Sequence, residues 1–168
     1  MAKPPLYPLK TVDGMPISYF QKLYLLSLEY LKADEIELNF DGYVDTVIEY
    51  ANLKELETNR AWELAQDLNL WADRFSEIYN LIQKFYLDSE TSKIEAQAIS
   101  SISSDAVKVS NGDRLSNKDP LVVSARNKRN TLKSFCDELE HKIKFLEMAH
   151  YHCKTAYDVA NRQQRAVC

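Results

Sequence analysis

A chain of 168 residues with 45% apolar residues, two Trp, ten Tyr and six Phe has enough material for an ordinary hydrophobic core, which argues against disorder throughout. Three cysteines, Cys136, Cys153 and Cys168, make an odd count, and no charged-then-apolar segment opens the chain. A secreted disulfide framework is thereby disfavoured and a reducing, cytoplasmic setting expected. No apolar run approaches the roughly 20 residues of a membrane span, so no membrane association is expected. The net charge of −4 conceals two opposed runs. Acidic residues crowd the stretch from Asp34 to Asp67, and basic ones the stretch from Ala106 to Phe135.

Residues 1–16 hold Pro4, Pro5, Pro8, Gly14 and Pro16 and predict an extended arm, either disordered or laid along a neighbour. Pro16 then stands at the first turn of a helix over 17–33, with Phe20, Leu23, Tyr24, Leu28 and Leu31 as its apolar face. Between Asp34 and Phe40, Ile36, Leu38 and Phe40 alternate with polar residues. With no second strand pattern to pair with, this stretch predicts a loop or a terminal helical turn. Asp41 and Gly42 mark the next start, and Val44, Val47, Ile48 and Ala51 carry a helix over 42–57. Asn52, Thr58 and Asn59 weaken it, leaving open whether it joins the element that follows.

That element is a long helix over 60–104. Leu64, Leu68, Trp71, Phe75, Ile78, Ile82 and Phe85 step by fours and threes, the period of a left-handed coiled-coil seam. The same phase continues onto Ser89, Ser92, Ala96 and Ile99, and a serine-rich end follows. Residues 105–119, with Asn111 and Gly112, predict the reversal. Asp119 and Pro120 open a last helix over 120–164, whose seam runs through Leu132, Phe135, Leu139, Ile143, Leu146, Ala149, Cys153, Ala156 and Ala160. The expected architecture is all-α: an elongated antiparallel helical hairpin with the N-terminal helices packed on it, in one helical domain over 17–168. Two such seams, taken as surfaces for self-association, predict a homo-oligomer.

Three clusters bear on chemistry. Arg126, Lys128, Arg129 and Lys133, preceded by Lys108, Arg114 and Lys118, form the basic run. Positions 126, 129 and 133 share a helical face and could follow a phosphate backbone, or else remain solvated or paired with an acidic partner. Aromatic interleaving, which base stacking needs, is limited to Phe135. Among His150, His152, Cys153 and Cys168, His150 and Cys153 share a helical face and could supply two ligands, short of the four of a structural zinc site, and no paired CxxC or second His pair exists, so no metal is expected. Asp34, Glu35 and Glu37 are carboxylates without a nucleophile, an oriented base or a phosphate-cradling loop, and three glycines are too few for most cofactor sites. The expectation is a protein without catalytic residues or cofactor.

The long helix carrying Ile94, Glu95, Ala96 and Gln97, the polar loop, and the final helix carrying Leu132, Phe135 and Cys136 together resemble the UvsY-like recombination mediators of T4-type phages, over residues 70–160 at most. That resemblance implies a helical protein that assembles into rings, binds single-stranded DNA and helps to load a recombinase. The family has basic residues after the first of these motifs, whereas this chain has Ala98, Ile99 and serines. The separate run from Lys108 to Lys133 would take their place. The reading is a non-enzymatic, oligomeric helical accessory protein that touches single-stranded DNA. The alternative is a protein-binding adaptor or assembly component without nucleic-acid binding.

Overall fold

The start of the last helix is fixed by a side-chain cap. Asp119 accepts a hydrogen bond from the Leu121 amide at 2.9 Å, and its own carbonyl accepts from Val123 at 2.9 Å. Pro120, which has no amide hydrogen to satisfy, follows at the first helical position. The computed structural model describes residues 19–32, 38, 40, 42–55, 57–103 and 116–167. Its helices are α1 (Tyr19–Leu31), α2 (Tyr43–Ala51), α3 (Thr58–Ser103) and α4 (Pro120–Val167), with one turn of tighter helix at Leu53–Glu55. No strand occurs among the described residues. The fold is an all-α helical hairpin bundle in which α3 and α4 pack against each other. The proline-rich arm over 1–16 and the predicted bend at Asn111 and Gly112 lie outside the described residues.

Two compact units divide this chain: residues 1–21, 38–79 and 138–168 form unit 1, and residues 22–37 and 80–137 form unit 2. In unit 1, Trp62 of α3 stacks on Tyr157 of α4. In unit 2, Glu90 meets Arg129, and Ser100 meets Asp119. In unit 1, Ala65 of α3 meets His150 of α4, so the later residue of α3 meets the earlier one of α4; the pairs of unit 2 do the same, and α3 and α4 run antiparallel in each unit.

Phe75 of α3 is the centre of unit 1. Phe40, Tyr43 and Phe20 place their rings 5.3, 4.8 and 6.4 Å from it, and Trp71 sits 5.5 Å from Tyr43. Phe20, Phe40, Tyr43 and Phe75 are all buried. The tilted and edge-on arrangements are those that aromatic quadrupoles favour. The alternation read in the acidic stretch therefore has a purpose without a strand. Leu38 and Phe40 are both buried, on chain that is not helical.

In α1, Phe20, Leu23 and Leu31 are buried as expected, joined by two polar residues, Gln21 and Ser27. Tyr24 and Leu28 are half-buried. In α2 the expected end at residue 57 is corrected to Ala51. The Asn52 amide bonds the Glu49 carbonyl at 3.0 Å and its side chain bonds the Ile48 carbonyl at 3.1 Å, which caps the helix. The next helix begins at Thr58, so α2 and α3 are separate. Gly42 precedes α2 with φ 85°, the left-handed region that disfavours any side chain.

The seam of α3 is buried at Leu64, Leu68, Phe75, Ile78 and Ile82 and half-buried at Trp71 and Phe85. Ala61, Ala65 and Ala72, which the heptad count passed over, are buried as well. Beyond Phe85 the predicted seam gives way. Ser89 is buried and Ala96 half-buried, but Ser92 and Ile99 are exposed. Ser89 turns its hydroxyl to the Tyr86 carbonyl at 2.7 Å. Small side chains leave nothing large enough to hold the period inward. On α4, Leu132, Phe135, Cys136, Leu139, Leu146, Ala149 and Cys153 are buried, and Ile143, Ala156 and Ala160 half-buried.

Phe75→Ala should lower unfolding free energy by about 3–5 kcal/mol, because it empties the centre of the nest. Leu70→Ala, on the outer face of the same helix, should stay within about 0.5 kcal/mol of the parent. Urea titrations followed by far-UV circular dichroism measure both.

Candidate functional site

The basic run opens α4 in unit 2, and successive positions along that helix face different neighbours. Lys128 lies 5.9 Å above the Tyr30 ring of α1. One residue on, Arg129 turns to α3, where it pairs with Glu90 at 2.9 Å and lies 5.7 Å from the Tyr86 ring. It also donates to the Asn130 side chain at 3.0 Å, while its Nε is buried without a hydrogen-bond partner among the described residues. The bond to Glu90 holds the guanidinium pKa above its ordinary value. Arg126 donates to the Asn117 side chain at 2.5 Å.

Three of the predicted phosphate-binding cations therefore have partners within the chain. Lys118 and Lys133 are exposed. Lys108 and Arg114 lie outside the described residues. The structure also supplies what the sequence reading lacked, two half-buried tyrosines beside the cations. Tyr86 and Tyr30 are some 40 and 100 residues away in the chain, so no local pattern could have announced them. The i, i+4 spacing of Tyr86 and Glu90 was readable, but pairing it with Arg129 required the hairpin register.

Above this cluster lies a hollow between the end of α3 and the start of α4, lined by Ala96, Ile99, Ser100, Ser103, Lys118, Asp119 and Leu121. Its lining is mostly apolar. Ile99, Ile102 and Leu121 are 66, 84 and 75% exposed, and Ile94 is exposed too. At its floor the Ser100 hydroxyl donates to the Asp119 carboxylate, which also accepts from the Leu121 and Val122 amides. These donors, Ser100 first, hold the Asp119 carboxyl below its usual pKa.

No family model, curated protein or solved structure matches the chain. The geometry alone carries the functional argument.

The remaining candidates have structural partners. His150 donates through Nδ1 to the Ala65 carbonyl at 2.7 Å, tying α4 to α3. His152 Nδ1 and the Tyr50 hydroxyl are hydrogen-bonded at 3.1 Å. Cys153 is fully buried, and burial first, then Glu49, pushes its thiol up to about 11. No group of three or more metal-binding side chains occurs among the described residues. Asp34, Glu35, Glu37 and Cys168 lie outside them. The seam residues from Leu64 to Phe85 and from Leu132 to Leu146 are buried or half-buried within one chain. No helix among the described residues is long and apolar enough to cross a membrane.

Asp119 makes a pH prediction whose sign follows from its lowered pKa. A carboxyl held below its unfolded value near 3.8 contributes stability that is complete above that pH and lost as the pH falls toward the folded value. Asp119→Ala should therefore destabilise the protein near pH 6, and the gap to the parent should close as the pH drops below about 4. Urea unfolding at a series of pH values reads the gap directly.

Proposed function

We propose that the protein is a non-enzymatic helical accessory protein that works by contact with another polypeptide, second copies of itself included. The observation that supports this most is a contrast inside unit 2. The cations at the start of α4 are largely satisfied within the chain, whereas Ile99 and Leu121 line one hollow and are largely exposed, as is Ile102 at the end of α3. Large aliphatic side chains that share an exposed patch mark contact surfaces more often than chance positions do. An adaptor or assembly component needs no chemistry of its own. Its affinity comes from such a patch, with charges around it to select the partner.

A second reading is a single-stranded DNA-binding accessory protein of the recombination-mediator type, which the resemblance to that phage family suggests. One arrangement favours it: Tyr30 and Tyr86 lie beneath Lys128 and Arg129, so rings and cations alternate over a short distance. Stacking with adjacent phosphate contacts is how non-specific single-strand binders work. Against it, Arg129 would have to leave Glu90 before it met a phosphate.

Gel filtration with light scattering separates the two. Under the first reading the chain runs well above its 19.4 kDa, and Ile99→Ser/Ile102→Ser/Leu121→Ser lowers the mass to that of one copy. An oligonucleotide changes nothing. Under the second, a fluorescent single strand binds with an affinity that falls steeply with salt, by roughly 0.7 logarithmic units per decade for each phosphate contact. Lys118→Ala/Lys133→Ala, which spares the internal pairs, then weakens binding and flattens that slope. A single-copy mass without a partner polypeptide, together with tight salt-sensitive oligonucleotide binding, overturns the first reading in favour of the second.

A further inference from the structure

The two long helices carry surplus charge of opposite sign in the two units. In unit 1, the part of α3 over 58–79 holds Glu63, Asp73 and Glu77 exposed and Asp67 half-buried, against two guanidiniums. Both guanidiniums are engaged. Arg60 is shared by Glu49, Glu63 and Asp67, and Arg74 lies 5.4 Å over the Trp71 ring. No ion pair among the described residues involves Asp73 or Glu77. In unit 2 the sign reverses. Glu90 takes Arg129 and Lys128 faces the Tyr30 ring, but Lys118 and Lys133 are exposed and Arg126 bonds a neutral side chain, that of Asn117. None of these last three meets a carboxylate among the described residues.

Each surplus forms a row. Glu63, Leu70 and Glu77 are spaced by two helical turns, which sets them on one face of α3 with Asp73 beside them, over about 21 Å. Arg126 and Lys133 share a face of α4 by the same spacing. Lys118 stands just before that helix, whose start lies about 20 Å from Lys133. The rows agree in length and oppose in sign, and they do not neutralise each other within one chain.

We propose that they meet between copies: the face of α3 bearing Glu63, Asp73 and Glu77 in one copy lies along the start of α4 in the next, against Lys118, Arg126 and Lys133. This rests on the reading above, contact with another polypeptide, and names both that polypeptide and the face it offers. A second copy is the occupant because the chain itself carries the complementary row. Leu70, 65% exposed among the carboxylates, and Leu121, 75% exposed three residues after Lys118, add apolar area to the two sides. The joined faces differ, so the contact is heterologous and each copy can give one face and receive another. Exposed charges of this kind steer the encounter and are screened by salt.

Light scattering on the full chain over a concentration series reads the contact as mass, with circular dichroism to check the fold. Lys118→Glu/Lys133→Glu and Asp73→Lys/Glu77→Lys each set like charges against one another, and each alone should raise the dissociation constant more than about tenfold. An equimolar mixture of the two should regain assembly, because each reversed row fits a row of the other form. Raising salt should dissociate the parent. Parent-like mass in both reversed forms overturns the proposal, as does a mixture that stays at one copy. If the mass then still falls in Ile99→Ser/Ile102→Ser/Leu121→Ser, contact through the hollow stands and only the pairing of rows is lost. A parent that runs as one copy at every concentration also overturns the pairing, and leaves the wider reading to a foreign polypeptide. Should a reversed form not fold, Lys118→Gln/Lys133→Gln and Asp73→Asn/Glu77→Gln remove the charges instead; weaker association with a flatter salt dependence is expected, and unchanged association overturns the proposal.

Discussion

Unit 1 depends on one ring. Phe75 is a single residue on a long helix, yet α1, the non-helical chain around Phe40, and α2 each commit an aromatic side chain to it or its immediate neighbours. Two helices alone would bury one stripe apiece and leave Trp71 and Phe75 with an uncovered flank. The N-terminal segments cover that flank. Their own elements are short, nine residues in α2 and thirteen in α1, and helices of that length are marginal in water without tertiary contacts. Tertiary contacts, of which the nest is the share in unit 1, are therefore what hold them as helices. Its cost is local: Tyr43 gives up solvent for its hydroxyl, whose pKa is driven upward by burial.

How much of this was legible in the chain follows from the distance over which each interaction acts. The seam from Leu64 to Ile82 and the Asp119–Pro120 start were legible, because a period and a cap are written in neighbouring residues. The continuation through Ser92 and Ile99 was not. The period is still present there, but periodicity records only where a residue points, and burial needs bulk opposite it. The end of α2 at Ala51 turned on how Asn52 spent its side chain, on the Ile48 carbonyl rather than on solvent. Composition shows such a residue as a weak helix former and no more.

The basic run teaches the same lesson about charge. Counting cations from Lys108 to Lys133 measures a potential, but what a cation does depends on its nearest polar neighbour in space. Arg129 has Glu90, 39 positions earlier, and Lys128, one residue before it, meets a ring on a different helix. A hundred degrees of helical rotation per residue divides one run between two faces. The charges that stay free for a partner are then fewer than the sequence count, and the exposed isoleucines beside them gain weight.

The stitch between Ser100 and Asp119 has a consequence for how this scaffold can be altered. The end of α3 and the start of α4 are joined by one side-chain bond between them, and the start of α4 is fixed further by bonds to its own backbone. Closure entropy grows only logarithmically with the length of a connecting segment, about 0.6 kcal/mol for each doubling. On that ground alone, lengthening the segment that joins α3 to α4 would cost the frame little.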